Sequence, residues 1–193
     1  METKTAPATI EAGATNDGQL TGEFTALVSV FNNVDSVNDR VKPGAFAATL
    51  KAWEASGSPI PVIWSHQWAD PDMHIGVVTK AEETGDGLLV EGQLDMENPK
   101  ARQVAKLLAE RRVKEFSFGY DTLASNDVDG VRELIALDLF EVGPTLKGAN
   151  PATVLVDAKA QPEPAPLLGE PVPVGWPAGE LLLRLNLVGA PYL

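Results

Sequence analysis

Three side chain types in the sequence, a serine, a histidine and a glutamate, could together support nucleophilic catalysis. The serine is Ser117, within residues 114–121, where Phe116, Phe118 and Tyr120 alternate with small residues. At the period of a β-strand, the rings lie on one face and the hydroxyl on the other. A serine held on a rigid strand, with space beside it for a substrate carbonyl, can act as a nucleophile. The other interpretation is structural, because a short motif outside its context is a weak signal.

Two other positions could supply a base and an orienting group. The only histidines are His66 and His74, and a base that works near neutral pH is most easily a histidine. His66 follows the apolar run 60–64, which predicts a buried strand, so it is the better candidate. Glu141 closes an apolar strand stripe and is the strongest choice to hold the far ring nitrogen. Both residues also fit structural roles, as a hydrogen-bonded strand end and a solvated acid.

A metal site is the alternative chemistry. His66, Asp70, Asp72 and His74 lie within one short stretch, and imidazole with carboxylate is a workable ligand set for zinc or iron. Their spacing matches no metal motif such as H-E-x-x-H, and no nucleotide-binding motif is present. The sequence therefore predicts neither a metal nor a cofactor.

The composition narrows the class of protein. The 193 residues include no cysteine, which excludes a thiol nucleophile, a disulfide framework and a thiolate metal site. The net charge of −12 disfavours nucleic acid as a partner, because phosphates repel an acidic chain. No apolar run reaches the roughly 18 residues that a membrane helix needs, and the first residues lack an apolar signal core. We therefore expect a soluble, unsecreted protein that binds neither nucleic acid nor membrane.

Composition shifts divide the chain into three parts. Residues 1–20 are rich in small and polar types and predict a flexible N-terminal arm. Residues 21–158 carry the apolar periodicity of a single domain. Residues 159–193 predict a proline-rich tail that ends in an apolar segment at residues 181–187.

Within the domain, periodicity and turn signals predict mostly strands. Helices are predicted over residues 43–57 and 98–111, strands over 24–30, 60–64, 75–81, 87–95, 114–121, 131–142 and 153–156, and a polar loop over 125–130. Strands that are often adjacent in sequence, with two outlying helices, favour an antiparallel barrel or sandwich with the helices packed outside.

Seven blocks, taken in order, make the sequence similar to the prohead maturation proteases of tailed phages, the family of the HK97-type capsid system. The blocks are Asp39–Phe46, Val62–Gln67, Ile75–Gly76, Gly87–Gly92, Phe116–Tyr120, Leu139–Val142 and Ala149–Ala152. The resemblance implies a mainly β fold with flanking helices, an antiparallel β-barrel of the herpesvirus-assemblin type. It also implies a serine endopeptidase in which Ser117 is the nucleophile, His66 the base and Glu141 the orienting third member. One departure is Gly143, where the family commonly has serine.

The resemblance also implies where and on what the protein acts. The expected substrates are scaffold segments of the major capsid protein, and the protein itself, inside the assembling prohead in the host cytoplasm. A homodimer is a further expectation. The competing hypothesis is a non-catalytic capsid scaffolding protein that retains the fold, with the tail and residues 181–187 as the parts that bind shell subunits. The presence of both Ser117 and His66 argues against it.

Overall fold

A computed structural model of the chain describes residues 2–7 and 20–148, which form a mainly β structure with two α-helices. The strands are β1 (Glu2–Pro7), β2 (Glu23–Val30), β3 (Asp39–Val41), β4 (Pro61–Ile63), β5 (His74–Glu83), β6 (Gly87–Leu94), β7 (Glu115–Val128) and β8 (Val131–Thr145). The helices are α1 (Ala47–Ser56) and α2 (Pro99–Ala109), and single 3-10 turns lie at Trp64–His66 and Pro71–Met73. No helix in the described part of the chain is long and apolar enough to span a membrane.

The strands form one curled mixed sheet, a half-barrel, in the order β1-β7-β8-β4-β5-β6-β2, and β3 also pairs with β8. The prediction of an antiparallel barrel is therefore wrong in two respects. First, β3 and β4 both run parallel to β8, because long excursions of the chain rather than hairpins connect them to it. Second, the two ends of the sheet, β1 and β2, do not pair in the described residues, so the barrel stays open. The assemblin-like type stays a prediction.

One edge of β8 is shared between two short strands and a helix. Next to β3, helix α1 lies where a neighbouring strand would otherwise pair with β8. Thr49 Oγ1 accepts a hydrogen bond from Leu139 N at 3.0 Å, and Trp53 Nε1 donates one to Leu139 O at 2.8 Å. These two side chains satisfy backbone groups that a neighbouring strand would otherwise bond. Beyond the helix, β4 meets β8 at the pair Val62 and Val142. This contact brings the segment after β4 to the C-terminal half of β8.

The aromatic side chains of β7 form the centre of the core. Phe116, Phe118 and Tyr120 are at most 1% exposed, which confirms that the aromatic face packs into the core. Phe116 packs on Phe24 with ring centroids 5.2 Å apart, and Phe118 packs on Phe46 at 5.3 Å. Burying a large aromatic side chain stabilises the fold by about 1.5–3 kcal/mol. These contacts fix which face of β7 points into the core.

Both predicted helices are present, although α1 begins at Ala47, four residues after the predicted start at residue 43, and α2 ends at Ala109, two residues before the predicted end. The Asn98 side chain accepts a hydrogen bond from Lys100 N at 2.8 Å at the start of α2, as an N-cap should. Helix α1 is followed by Gly57 in the left-handed conformation at φ 68°, a common helix stop.

The predicted polar loop at residues 125–130 is wrong. Strand β7 continues to Val128 and pairs with β8 along its whole length, and only Asp129 and Gly130 form the turn. Both turn residues have positive φ, 55° and 77°, as a two-residue hairpin turn with the right-handed twist of its strands requires. The polar side chains therefore belong to an exposed hairpin, not to a loop.

The first strand lies within the segment for which the sequence predicts a flexible arm. Strand β1 pairs antiparallel with β7, and Thr5 lies opposite Ser117. Without β1, this edge of β7 would have unpaired backbone groups, and β1 pairs with them. The domain boundaries at residues 20 and 158 stay predictions. The predicted strand 153–156, the tail 159–193 and its apolar segment 181–187 lie outside the described residues.

Candidate active site

Strands β7 and β8 place Ser117 and Glu141 on the same face of the sheet. In their antiparallel register Ser117 lies opposite Gly143, and Gly119 lies opposite Glu141. Because alternate residues of a strand share a face, the serine and the glutamate are diagonal neighbours. Two of the four positions in this patch are glycines, so no side chain stands between the hydroxyl and the carboxylate.

The third predicted residue, His66, lies on the tight turn that follows β4. The sequence predicts it at the end of a strand, whereas the structure places it three residues beyond the strand end. Ser65 and His66 both have left-handed backbone conformations, with φ 47° and 60°. Such conformations cost about 1–3 kcal/mol each for residues other than glycine, and they persist only where surrounding structure holds them. The turn directs the imidazole back over the face of β7 and β8.

The structure brings all three predicted side chains into one hydrogen-bonded row. Glu141 Oε1 lies 2.5 Å from His66 Nδ1, and His66 Nε2 lies 2.8 Å from Ser117 Oγ. An ionised carboxylate can only accept, so Nδ1 carries the proton and its N–H donates the hydrogen bond to Glu141 Oε1. In the neutral ring, Nε2 is then an acceptor and receives the hydrogen bond of the serine hydroxyl. This is the tautomer that a general base needs.

Burial strengthens the pairing of glutamate with histidine. Ser117 and Glu141 are each 1% exposed, whereas the His66 side chain is 20% exposed. The second carboxylate oxygen of Glu141 is buried and has no hydrogen-bond partner in the described part of the chain. Because hydrogen bonds are electrostatically stronger away from water, burial strengthens the bond between this carboxylate and the imidazole. Of the three side chains, the His66 ring is thus the one most accessible to solvent.

Two contacts of the His66 turn were missed by sequence reasoning. A side chain at Gly143 would place its Cβ 1.7 Å from the carbonyl oxygen of Ile63, so only glycine lets β4 approach β8 this closely. The Trp68 ring lies 5.7 Å from the His66 ring and is 38% exposed, so it forms one wall beside the imidazole. Gly143 lies at strand period from Glu141, which could have marked it as part of the same face. No sequence signal connects Trp68 to the ring.

The four residues weighed as metal ligands do not form a metal site. In residues 20–148, no group of three or more histidine, aspartate or glutamate side chains is arranged to hold a metal ion. His66 instead contacts Ser117 and Glu141. Asp70 caps the following 3-10 turn by accepting a hydrogen bond from Asp72 N at 3.0 Å, and His74 is exposed at the start of β5.

An alcohol, an imidazole and a carboxylate hydrogen-bonded in that order form the constellation of serine hydrolases, which recurs on unrelated folds. The sequence matches the family of caudovirus prohead serine proteases over residues 9–163, and the chain belongs to this family. The resemblance predicted from the seven blocks is thereby confirmed. Membership of this family supports a protease role in prohead assembly.

A comparison with solved structures gives the same architecture. The fold is similar to that of the bacteriophage T4 capsid assembly protease gp21, with a TM-score of 0.57 and 11% sequence identity. The match covers 76% of this chain and 95% of that one. At this identity the likeness shows a shared fold. No curated protein sequence matches the chain.

Proposed function

We propose that the chain is a serine endopeptidase that cleaves scaffold segments of capsid proteins, and its own chain, inside the assembling prohead in the host cytoplasm. The observation that carries the proposal is the unbroken row from Glu141 through His66 to Ser117, with distances of 2.5 and 2.8 Å. Membership of the prohead protease family supports the class of substrate.

The acylation step uses the tautomer that the hydrogen bonds define. Ser117 Oγ attacks the carbonyl carbon of the scissile peptide while its proton passes to His66 Nε2. The tetrahedral intermediate then collapses, the C–N bond breaks, and Nε2 returns the proton to the leaving amine. An ester between Ser117 and the N-terminal half of the substrate remains.

The deacylation step repeats these roles with water. His66 Nε2 takes a proton from a water molecule that attacks the ester, and the proton then passes to Ser117 Oγ as the acid product leaves. In both steps the ring is briefly a cation. The buried carboxylate of Glu141 stabilises that cation and keeps the ring oriented.

The test compares two serines of β7. In Ser117→Ala the capsid precursor stays uncut and a fluorophosphonate probe no longer labels the protein, while thermal unfolding remains close to that of the unaltered chain. Ser125→Ala is the matched control, because Ser125 lies on the same strand but is exposed to solvent. It should process and label at the unaltered rate.

Two results would overturn the proposal. One is precursor cleavage or probe labelling by a folded Ser117→Ala protein at the unaltered rate. The other is an unaltered chain that folds, binds capsid subunits and is never labelled, which is what a non-catalytic scaffolding protein would show.

A further inference from the structure

The backbone that carries His66 is strained, and something must hold it. Ser65 and His66 are consecutive residues with φ of 47° and 60°, and neither is a glycine. Within the turn itself the hydrogen bond from Gln67 N to Trp64 O, at 3.1 Å, closes one 3-10 turn. A single such bond is worth about 0.5–1.5 kcal/mol, less than the cost of two left-handed residues. The remaining support has to come from outside the turn.

That support lies on one face of β8. Glu141, Gly143 and Thr145 are alternate residues of a regular stretch of the strand, so they lie in line on the same face. Glu141 bonds the ring of His66, and Gly143 leaves room for the carbonyl of Ile63 just before the turn. Thr145 Oγ1 lies 3.3 Å from the hydroxyl of Ser65.

Of these three contacts, the one between the two hydroxyls is made at Ser65, the first of the two strained residues, whereas Glu141 reaches only the ring of His66. Thr145 is 8% exposed, so its hydroxyl is largely shielded from water. A buried hydroxyl that loses its partner costs about 1–3 kcal/mol, which makes the paired arrangement the preferred one. The pair therefore opposes any relaxation of Ser65 away from β8.

We propose that Ser65 and Thr145 are positioning residues for His66: their hydroxyl pair locks the left-handed turn so that Nε2 stays within hydrogen-bond distance of Ser117 Oγ. The proposal rests on the proposed hydrolase function for its effect on rate, but its geometric part stands on the turn alone. Neither hydroxyl touches the reacting atoms.

The kinetic test removes one hydroxyl at a time. Thr145→Val keeps the shape of the side chain and deletes the hydroxyl, whereas Thr145→Ser keeps the hydroxyl. We expect Thr145→Val to lower kcat by about tenfold with KM changed less than twofold, because a misplacement of about 1 Å costs on the order of 100-fold and the turn should move by less. Thr145→Ser should retain at least half of the unaltered kcat. Thr25→Val on β2, a half-buried threonine of another strand, is the control and should change neither constant.

A double-mutant cycle tests whether the two hydroxyls act as a pair. Ser65→Ala should lower kcat by about as much as Thr145→Val, and the double variant should be no slower than either single one. Losses that multiply in the double variant would show independent effects and would overturn the pairing.

A spectroscopic readout separates this inference from the proposed function. The chain has only two histidines, so NMR can follow the ring of His66 with His74 as the internal reference. The resonance to follow is that of the Nδ1 proton of His66, which is hydrogen-bonded to Glu141. Thr145→Val should shift or broaden that resonance and Thr145→Ser should not. An unchanged resonance together with an unchanged kcat in Thr145→Val would overturn the proposal. If the unaltered chain has no activity that depends on Ser117, the function fails, and the resonance alone decides the positioning role.

Discussion

Replacing Gly143 with alanine should damage the site from a distance, and the size of the effect can be worked out from the structure. The added Cβ would lie 1.7 Å from the carbonyl oxygen of Ile63 and 2.7 Å from its carbonyl carbon. Real Cβ contacts essentially never fall below 3.0 Å, so the end of β4 must retreat from β8 by about 1.3 Å. Both clashing atoms belong to the backbone, which leaves no flexible side chain to absorb the movement.

This movement reaches His66 because only two residues separate it from Ile63. A retreat of about 1.3 Å would stretch the distance between His66 Nε2 and Ser117 Oγ from 2.8 Å to beyond the hydrogen-bond limit. We expect kcat to fall about 100-fold, the typical cost of a 1 Å misplacement. The overpacked strand pair should also lower the free energy of unfolding by about 1–3 kcal/mol. Gly143→Ser, which introduces the residue that the resemblance leads one to expect, should have a similar effect.

The assay measures precursor cleavage at saturating substrate and denaturant unfolding of the same preparations. Gly85→Ala is the matched control, because a Cβ at Gly85 meets nothing within 4 Å. It should leave both quantities unchanged. A Gly143→Ala protein with the kcat and stability of the control would refute the argument that the close approach of β4 to β8 sets the position of His66.

Three further predictions follow from other contacts. Glu141→Gln should lower kcat by about 10⁴-fold in the cleavage assay with little loss of fold, since an amide can stabilise the wrong ring tautomer. Trp53→Phe should lower the free energy of unfolding by about 1–3 kcal/mol in a denaturant titration, because it leaves Leu139 O unsatisfied. The hydrogen bond from Arg40 lowers the pKa of Glu133 below its ordinary 4.5. The ion pair of Glu133 therefore stabilises the fold fully above about pH 4.5, and this contribution is lost as the pH falls through the lowered pKa. The Tm gap between the unaltered chain and Glu133→Gln should close over that same fall in pH.

Much of the site was predictable because its signals are local to single strands. The alternation of Phe116, Phe118 and Tyr120 with small residues indicates which face of β7 packs into the apolar core, and Ser117 is then on the opposite face. The cap at Asn98 is equally local. Even the error at residues 125–130 had a local remedy, because an Asp-Gly pair is a strong signal for a two-residue hairpin turn.

The rest depends on long-range pairing that no local pattern encodes. Strand β4 is three residues long and meets β8 in a single pair, Val62 with Val142, so the parallel arrangement has no periodic signature in the sequence. The turn after β4 cannot be predicted from the sequence either. Positive φ is uncommon at residues other than glycine, and the turn contains no glycine that would mark it. The position of His66 is thus a tertiary property, set by how closely two strands approach.

Because the position of His66 depends on this approach, β8 rather than β7 organises the site. Strand β7 supplies the hydroxyl, but β8 supplies the geometry, since Glu141 holds the ring, Gly143 admits the chain before the turn, and Thr145 bonds the turn itself. A strand is stiff and its alternate residues are fixed in spacing, so three contacts in a line restrain the turn more firmly than any one of them could. The strain at Ser65 and His66 is then held by a rigid support rather than by the loop that contains it. On this reasoning, substitutions on that face of β8 should affect the rate of catalysis even where they contact no reacting atom.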